Sequence, residues 1–238
     1  MSDLRISPGL DRQALAAHYA EHRWVQVPGF LASDGADILH AALLERQDWM
    51  RTWNIGSETR DVSVDLFAAW PEDKRREYEA HTFTTAHEGF QYRFENIRVP
   101  EIPEKRAARH DPLTSFVKLM SGEALDLLGE IMGDDTINFA DGQAIAYAEG
   151  DFLTGHHDDI DGKNRRAAYV FNLTREWRAE WGGLLLFHDA DGQIRNGLVP
   201  TFNALNLFAV PQHHSVSEVT RAARGARRYS VTGWLRAD

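Results

Sequence analysis

Apolar residues change their spacing about halfway along this chain of 238 residues. Up to about residue 132 the spacing is helical. Ser33-Asp34 ahead of Ile38, Leu39, Ala42 and Leu43 reads as an N-cap followed by an apolar stripe, since a short polar side chain can take the unpaired amides of a first turn. Pro71 with Glu72 and Asp73 behind it predicts another helix start, and residues 122–131 bring Leu125, Leu128 and Ile131 to one side. Two stretches in this half alternate instead: residues 24–27, and residues 90–99, where Phe90, Tyr92 and Phe94 share one strand face. From Thr136 onward short apolar runs recur with Gly, Asp, Asn or Pro between them. They predict strands over 143–153, 166–173, 184–187, 193–199, 204–210, 215–219 and 228–235. That many short strands suggest a sandwich, jelly roll or barrel.

With no repeat or linker visible, the expected organisation is one domain over residues 1–238, class α+β. Residues 1–134 would supply mainly helical support and substrate-side elements, and residues 135–238 the β-structure. Composition narrows the chemistry. The chain has no cysteine, so disulfides, thiolate metal sites and thiol nucleophiles are excluded, and any metal must be held by His, Asp and Glu. A formal charge of −10 argues against a nucleic-acid backbone or an anionic membrane as partner, since both need a basic face. The arginines at 221, 224, 227 and 228 are dense but do not reverse that balance. The start, Met1-Ser-Asp-Leu-Arg, has no signal pattern and no apolar run approaches a membrane span, so a cytoplasmic location is expected.

Two overlapping His-x-Asp triplets occur, His156-His157-Asp158 and His157-Asp158-Asp159. Residues i and i+2 of a strand point to one side, so such a triplet can offer an imidazole and a carboxylate to one metal. With 11 histidines in 238 residues about one such triplet arises by chance, so the surroundings decide. A second pair, His213-His214, lies far downstream, and two strands of one barrel can bring both segments to its mouth. Two imidazoles and a carboxylate with open positions form the facial triad of non-haem Fe(II) oxygenases.

In the stretches Gly150–Asp158, 165–174, Trp177, 181–187, 203–208, 214–219 and 228–234, the chain resembles the Fe(II)/2-oxoglutarate-dependent dioxygenase superfamily, and within it the prolyl 4-hydroxylase-like group. The resemblance implies a double-stranded β-helix (jelly-roll, cupin-like) core buttressed by N-terminal packing helices. It implies Fe(II), 2-oxoglutarate and O2 as cofactors, with ascorbate as a supporting reductant, and decarboxylation of 2-oxoglutarate coupled to hydroxylation of a C–H bond. The family spacing Leu-x-x-His-x-Asp places Leu153 three before His156, which makes His156, Asp158 and His214 the metal ligands and catalytic centre. His157, Asp159 and His213 would face away. Arg directly before Tyr-Ser favours Arg228 over Arg227 for the far carboxylate of 2-oxoglutarate, with Ser230 on the same face. Tyr147 resembles the tyrosine that reaches the co-substrate, though a buried structural tyrosine fits its position as well. Asn172 stands where the best-known prolyl hydroxylases carry a tyrosine in that pocket, and its amide can still hydrogen-bond, which makes it a further candidate for binding the co-substrate. Tyr92, Phe94 and Arg98 are either a cleft wall or a half-buried strand.

The expected partners are therefore 2-oxoglutarate and a protein or small-molecule substrate, with a prolyl residue of a protein or peptide favoured. The alternatives are hydroxylation of a free amino acid or small metabolite, a barrel that binds metal or a small acid without turnover, and a cupin-like hydrolase or isomerase.

Overall fold

The computed structural model describes residues 4–238; Met1–Asp3, where the amino-terminal reading begins, lie outside them. The chain opens with α1 (Arg12–His22), β1 (Trp24–Pro28) and α2 (Gly35–Glu45), then a hairpin of β2 (Met50–Ile55) and β3 (Glu58–Ser63). Next come α3 (Val64–Ala68), α4 (Glu72–Glu88), β4 (Tyr92–Arg98), α5 (Pro103–Ala107), α6 (Pro112–Met120) and α7 (Glu123–Met132). The second half holds β5 (Phe139–Ala140), β6 (Gln143–Tyr147), β7 (Phe152–His156), β8 (Arg165–Asn172) and β9 (Leu185–His188). It continues with β10 (Ile194–Leu198), β11 (Ala204–Ala209), β12 (His214–Val216) and β13 (Arg228–Arg236).

Alternation within the strands divides the core in two. In β8, Ala167, Tyr169 and Phe171 face a helical layer in which α6 contributes Leu113, Phe116 and Met120, and α7 contributes Leu127, Leu128 and Ile131. Ala168 and Val170 turn the other way, toward Leu185 and Phe187 of β9 and Phe208 of β11. The strands run β1-β11-β8-β13-β6-β4-β7-β12-β9-β10, with β2, β3 and β5 attached beside this path. β1 and β9 are far apart in that order, yet Trp24 stacks on Phe187 at 5.8 Å and Phe187 meets Phe208 at 5.3 Å. Contact between strands so remote means that the antiparallel sheet curls onto itself, giving the double-stranded β-helix, with a lumen lined by every second residue.

Several elements differ from the sequence reading. The single strand over 143–153 is two, β6 and β7, because Ala148–Asp151 turn: the Asp151 amide donates to the Ala148 carbonyl at 2.9 Å and Gly150 takes a φ of +80°. The first half also feeds the sheet. It contributes β1 to the sheet edge and places β4 between β6 and β7. The helices α1 and α6 and the hairpin β2–β3 went unread. α1 has little amphipathic contrast, with Tyr19 its buried residue, and the hairpin buries polar Arg51, Thr52 and Asn54 instead of alternating apolar residues.

Candidate active site

β7 ends at His156 and β12 begins at His214, and the two residues are direct cross-strand partners. Pairing sets their rings 4.2 Å apart between centroids, and Asp158, two residues beyond the end of β7, turns its carboxylate between them. His156 Nε2 lies 3.6 Å from Asp158 Oδ1 and His214 Nε2 lies 3.6 Å from Oδ2. One donor atom from each residue falls within 4.8 Å of the others, a separation that one ion can bridge. His157, Asp159 and His213 are exposed, so the strand parity brings together one residue of each pair.

Both imidazoles are fixed from behind. The Thr154 carbonyl accepts from His156 Nδ1 at 3.0 Å and the Gln212 carbonyl from His214 Nδ1 at 2.8 Å. A carbonyl can only accept, so each Nδ1 carries the proton and each Nε2 lone pair is left for the metal. Burial, and then the charge of His156, push the His214 imidazole down to about 4, which keeps it neutral at physiological pH. Burial pushes the Asp158 carboxyl up, but the two imidazoles that face it outweigh burial, and the group stays below the ordinary carboxylate range. Arg165 Nη1 donates to the Asp158 carbonyl at 3.0 Å while its guanidinium lies 3.6 Å over the Trp234 ring. Neither Arg165 nor Trp234 was singled out from sequence for this place beside Asp158. Trp234 could have been, because it shares the strand parity of Arg228 and Ser230.

Deeper in the lumen is Arg228, only 2% exposed and among the largest fully buried side chains. Its Nε and Nη1 find no hydrogen-bond partner among the described residues, and burial pushes its pKa down. A cation buried without its complement is costly, so this side chain fits an anionic ligand that supplies the missing acceptors. Ser230, two residues on, is buried on the same face. Tyr147 pairs with Arg228 across β6 and β13, its ring 5.2 Å from the guanidinium, and burial raises its hydroxyl pKa. Arg227 points the opposite way, into an ion pair with Glu95. Asn172 lies opposite Ser230, but its amide N–H groups are committed to the carbonyls of Ala204 at 3.1 Å and Val170 at 3.4 Å, leaving Oδ1 buried without a partner.

Tyr92 and Phe94 belong to a row of rings. Phe90 stands 5.3 Å from His156 and 5.6 Å from Tyr92, Tyr92 stacks on Phe94 at 5.2 Å, and Phe94 meets Tyr147 at 5.6 Å. Arg98 does not share this wall; it pairs with Asp61 on β3 at 2.6 Å. Trp177 donates from Nε1 to the Gly182 carbonyl at 2.8 Å and packs with Trp181 against the cluster that holds Tyr147 and Val219.

Residues 142–236 match the family model of the 2OG-Fe(II) oxygenase superfamily. Among curated proteins, the chain is similar to the prolyl 3-hydroxylase OGFOD1 of Mus musculus, 31% identical over 135 residues, 53% of this chain and 24% of that protein. It is similar to the Xenopus laevis protein of the same name at 38% identity over 96 residues, 37% of this chain and 18% of that protein. The chain thus aligns with a quarter or less of these relatives. Among solved structures, a prolyl-4-hydroxylase of Pseudomonas putida superposes with a TM-score of 0.58 at 20% identity, covering 95% of this chain and 99% of the other. A Trichoplax adhaerens prolyl hydroxylase, solved with a hypoxia-inducible-factor peptide fragment, gives 0.60 at 15% identity, covering 95% and 89%. These superpositions establish the fold.

Proposed function

We propose that the 2OG-Fe(II) oxygenase domain formed by residues 142–236 hydroxylates a prolyl residue of a protein or peptide, with His156, Asp158 and His214 as iron ligands and Arg228 as the anchor of 2-oxoglutarate. The observation that carries the reading is the pairing, in one lumen, of an open His-Asp-His donor set with a buried guanidinium that lacks an anion. Fe(II) with 2-oxoglutarate and O2 supplies the oxidising chemistry: one oxygen atom of O2 ends in succinate as CO2 leaves, the other on the substrate carbon. The donor set would suit it, since two neutral imidazoles and one carboxylate are the ligand types of non-haem Fe(II) oxygenases. The remaining work belongs to the protein's own groups. Arg228 would take the far carboxylate in a two-pronged contact, with the Ser230 hydroxyl beside it. The packed rings of Tyr147 and Phe94 would exclude bulk water from that end, and the carbonyls of Thr154 and Gln212 hold the ligand tautomers.

The preference for a prolyl substrate is supported by the prolyl hydroxylases among its relatives and structural neighbours. A cytoplasmic setting, with its supply of 2-oxoglutarate and reductant, suits the reaction. Among the described residues no helix is long and apolar enough to cross a membrane. The test is mass spectrometry of a host lysate incubated with the protein, with and without 2-oxoglutarate. The expected result is an oxygen-atom mass gain on prolyl peptides that requires 2-oxoglutarate. Gains only on free amino acids, or on residues other than proline, would overturn the substrate assignment.

A further inference from the structure

Phe90 combines exposure with rigidity in a way that a stray surface ring does not. Its side chain is 46% exposed, yet the backbone on both sides is pinned. The Phe90 carbonyl accepts from Asn54 Nδ2 at 3.1 Å. Gln91, fully buried, accepts through Oε1 from the amides of Asn54 at 3.2 Å and Tyr92 at 2.8 Å, and donates from Nε2 to the Asn54 carbonyl at 3.1 Å. Its own amide donates to Thr154 Oγ1 at 2.8 Å, and the Thr154 amide returns a bond to its carbonyl at 2.9 Å. Thr154 is also the residue whose carbonyl orients His156, so the backbone that carries Phe90 and the backbone that aims a metal ligand are one hydrogen-bonded unit.

The next ring is fixed as firmly. Tyr92 is stacked on Phe94 with planes 24° apart, and its hydroxyl lies 2.8 Å from Thr59 Oγ1 on the β2–β3 hairpin. The inner rings, Phe94 and Tyr147, are buried and close onto Arg228, which leaves Phe90 and Tyr92 as the part of the row that an incoming group can touch.

We propose that Phe90 and Tyr92 form a preorganised platform on which the substrate's pyrrolidine ring rests beside His156, and that this platform, more than any polar contact, makes the site select proline; the proposal rests on the prolyl reading above. The Cα and Cδ of a prolyl ring are bonded to an amide nitrogen that draws electron density from them, so their C–H groups carry partial positive charge. Aromatic faces are electron-rich, and a ring held in place meets those C–H groups without losing freedom of its own. Proline is also already cyclised, so little is left to immobilise on its side. An alanyl residue offers neither the polarised ring nor the area.

The test uses the full chain loaded with Mn(II) and N-oxalylglycine, which cannot turn over, and two decapeptide libraries alike except for a fixed central proline or alanine. Wild type is expected to retain the proline library preferentially. Phe90→Ala should lose about fivefold of that preference, within the range expected for one aromatic contact. Phe90→pentafluorophenylalanine, which keeps the size but reverses the charge of the ring face, should lose a similar amount, and Phe90→Tyr should keep it. In all variants the anaerobic Fe(II)–2-oxoglutarate charge-transfer band should titrate as in wild type, which shows that the fold and inner pocket are intact. Unchanged proline preference in Phe90→Ala or in the pentafluoro variant overturns the platform while leaving the prolyl reading in place. If wild type forms the band but shows no preference for proline, the prolyl reading falls and the platform with it.

Discussion

His156 and His157 are neighbours in the chain but sit on opposite sides of β7's end, and that parity separates a ligand from a rim residue. Replacing His156, Asp158 or His214 singly by Ala should reduce Fe(II) affinity and 2-oxoglutarate turnover by orders of magnitude, with circular dichroism unchanged. His157→Ala and His213→Ala should be mild. Loss of iron binding in His157→Ala with retention in His156→Ala would place the register off by one. Arg228 gives a two-sided expectation. A bidentate grip on a carboxylate would contribute roughly 1.5–3 kcal/mol per hydrogen bond, so Arg228→Met should weaken 2-oxoglutarate binding about tenfold to hundredfold for each hydrogen bond removed. The same change removes an unpaired buried cation, so the ligand-free protein should melt no lower than wild type, and higher if methionine fills the space. Arg227→Met, which breaks the pair with Glu95 outside the lumen, should leave 2-oxoglutarate affinity intact. Calorimetric titration with 2-oxoglutarate and thermal melts of the two variants read both effects, and a larger loss of affinity in Arg227→Met would reverse the assignment.

Among the elements, α6 starts at a cap whose contribution follows pH. Asp111 accepts from the Thr114 amide at 3.1 Å and the Thr114 hydroxyl at 2.8 Å, with Arg46 Nη1 at 3.1 Å. Burial raises the Asp111 pKa, but these contacts outweigh it and hold it below the usual value. Because the folded value is depressed, the cap's stabilisation is present above the unfolded aspartate's pKa and is lost as pH falls through the folded one. Asp111→Ala should cost about 1 kcal/mol at neutral pH, and urea melts of wild type and variant should converge in acid. A second element depends on backbone space: Gly182 has a φ of +71° and a Cβ there would collide with the Glu218 carbonyl. Gly182→Ala should destabilise by at least about 1–2 kcal/mol from the left-handed conformation alone, measured as a lower denaturant midpoint. Periodicity made the β8–β13 strands and the ligand segments legible, because a buried face repeats every second residue. The β2–β3 hairpin was not legible for the opposite reason. Arg51 pairs with Asp151 and with Glu95 at 3.1 Å beneath the helices, so its buried positions are charged and look exposed in a sequence. The place of Asn172 was readable, but not the direction of its amide, which the Ala204 carbonyl decides.

For the molecule as a whole, a triad assembled from strands that meet only when the sheet curls would bind metal far better in the native state than in the unfolded chain. Mn(II) at about a hundred times its Kd should therefore add about 2.7 kcal/mol to stability, read as a concentration-dependent rise in Tm that Asp158→Ala abolishes. The strand order has a further consequence in time. β13, residues 228–236, comes after β6 and β8 in the chain, yet it lies in the middle of the sheet between them and carries Arg228 and Ser230. During synthesis, β8 and β6 wait with their facing backbone edges unpaired, and the partner they need is still inside the ribosome. The lumen, its buried cation and the completed sheet should therefore arise together once β13 has emerged, not strand by strand. Such pairing across long sequence separation folds slowly, so nascent chains halted before residue 228 should be protease-sensitive throughout β6–β12 and become protected together once β13 has emerged.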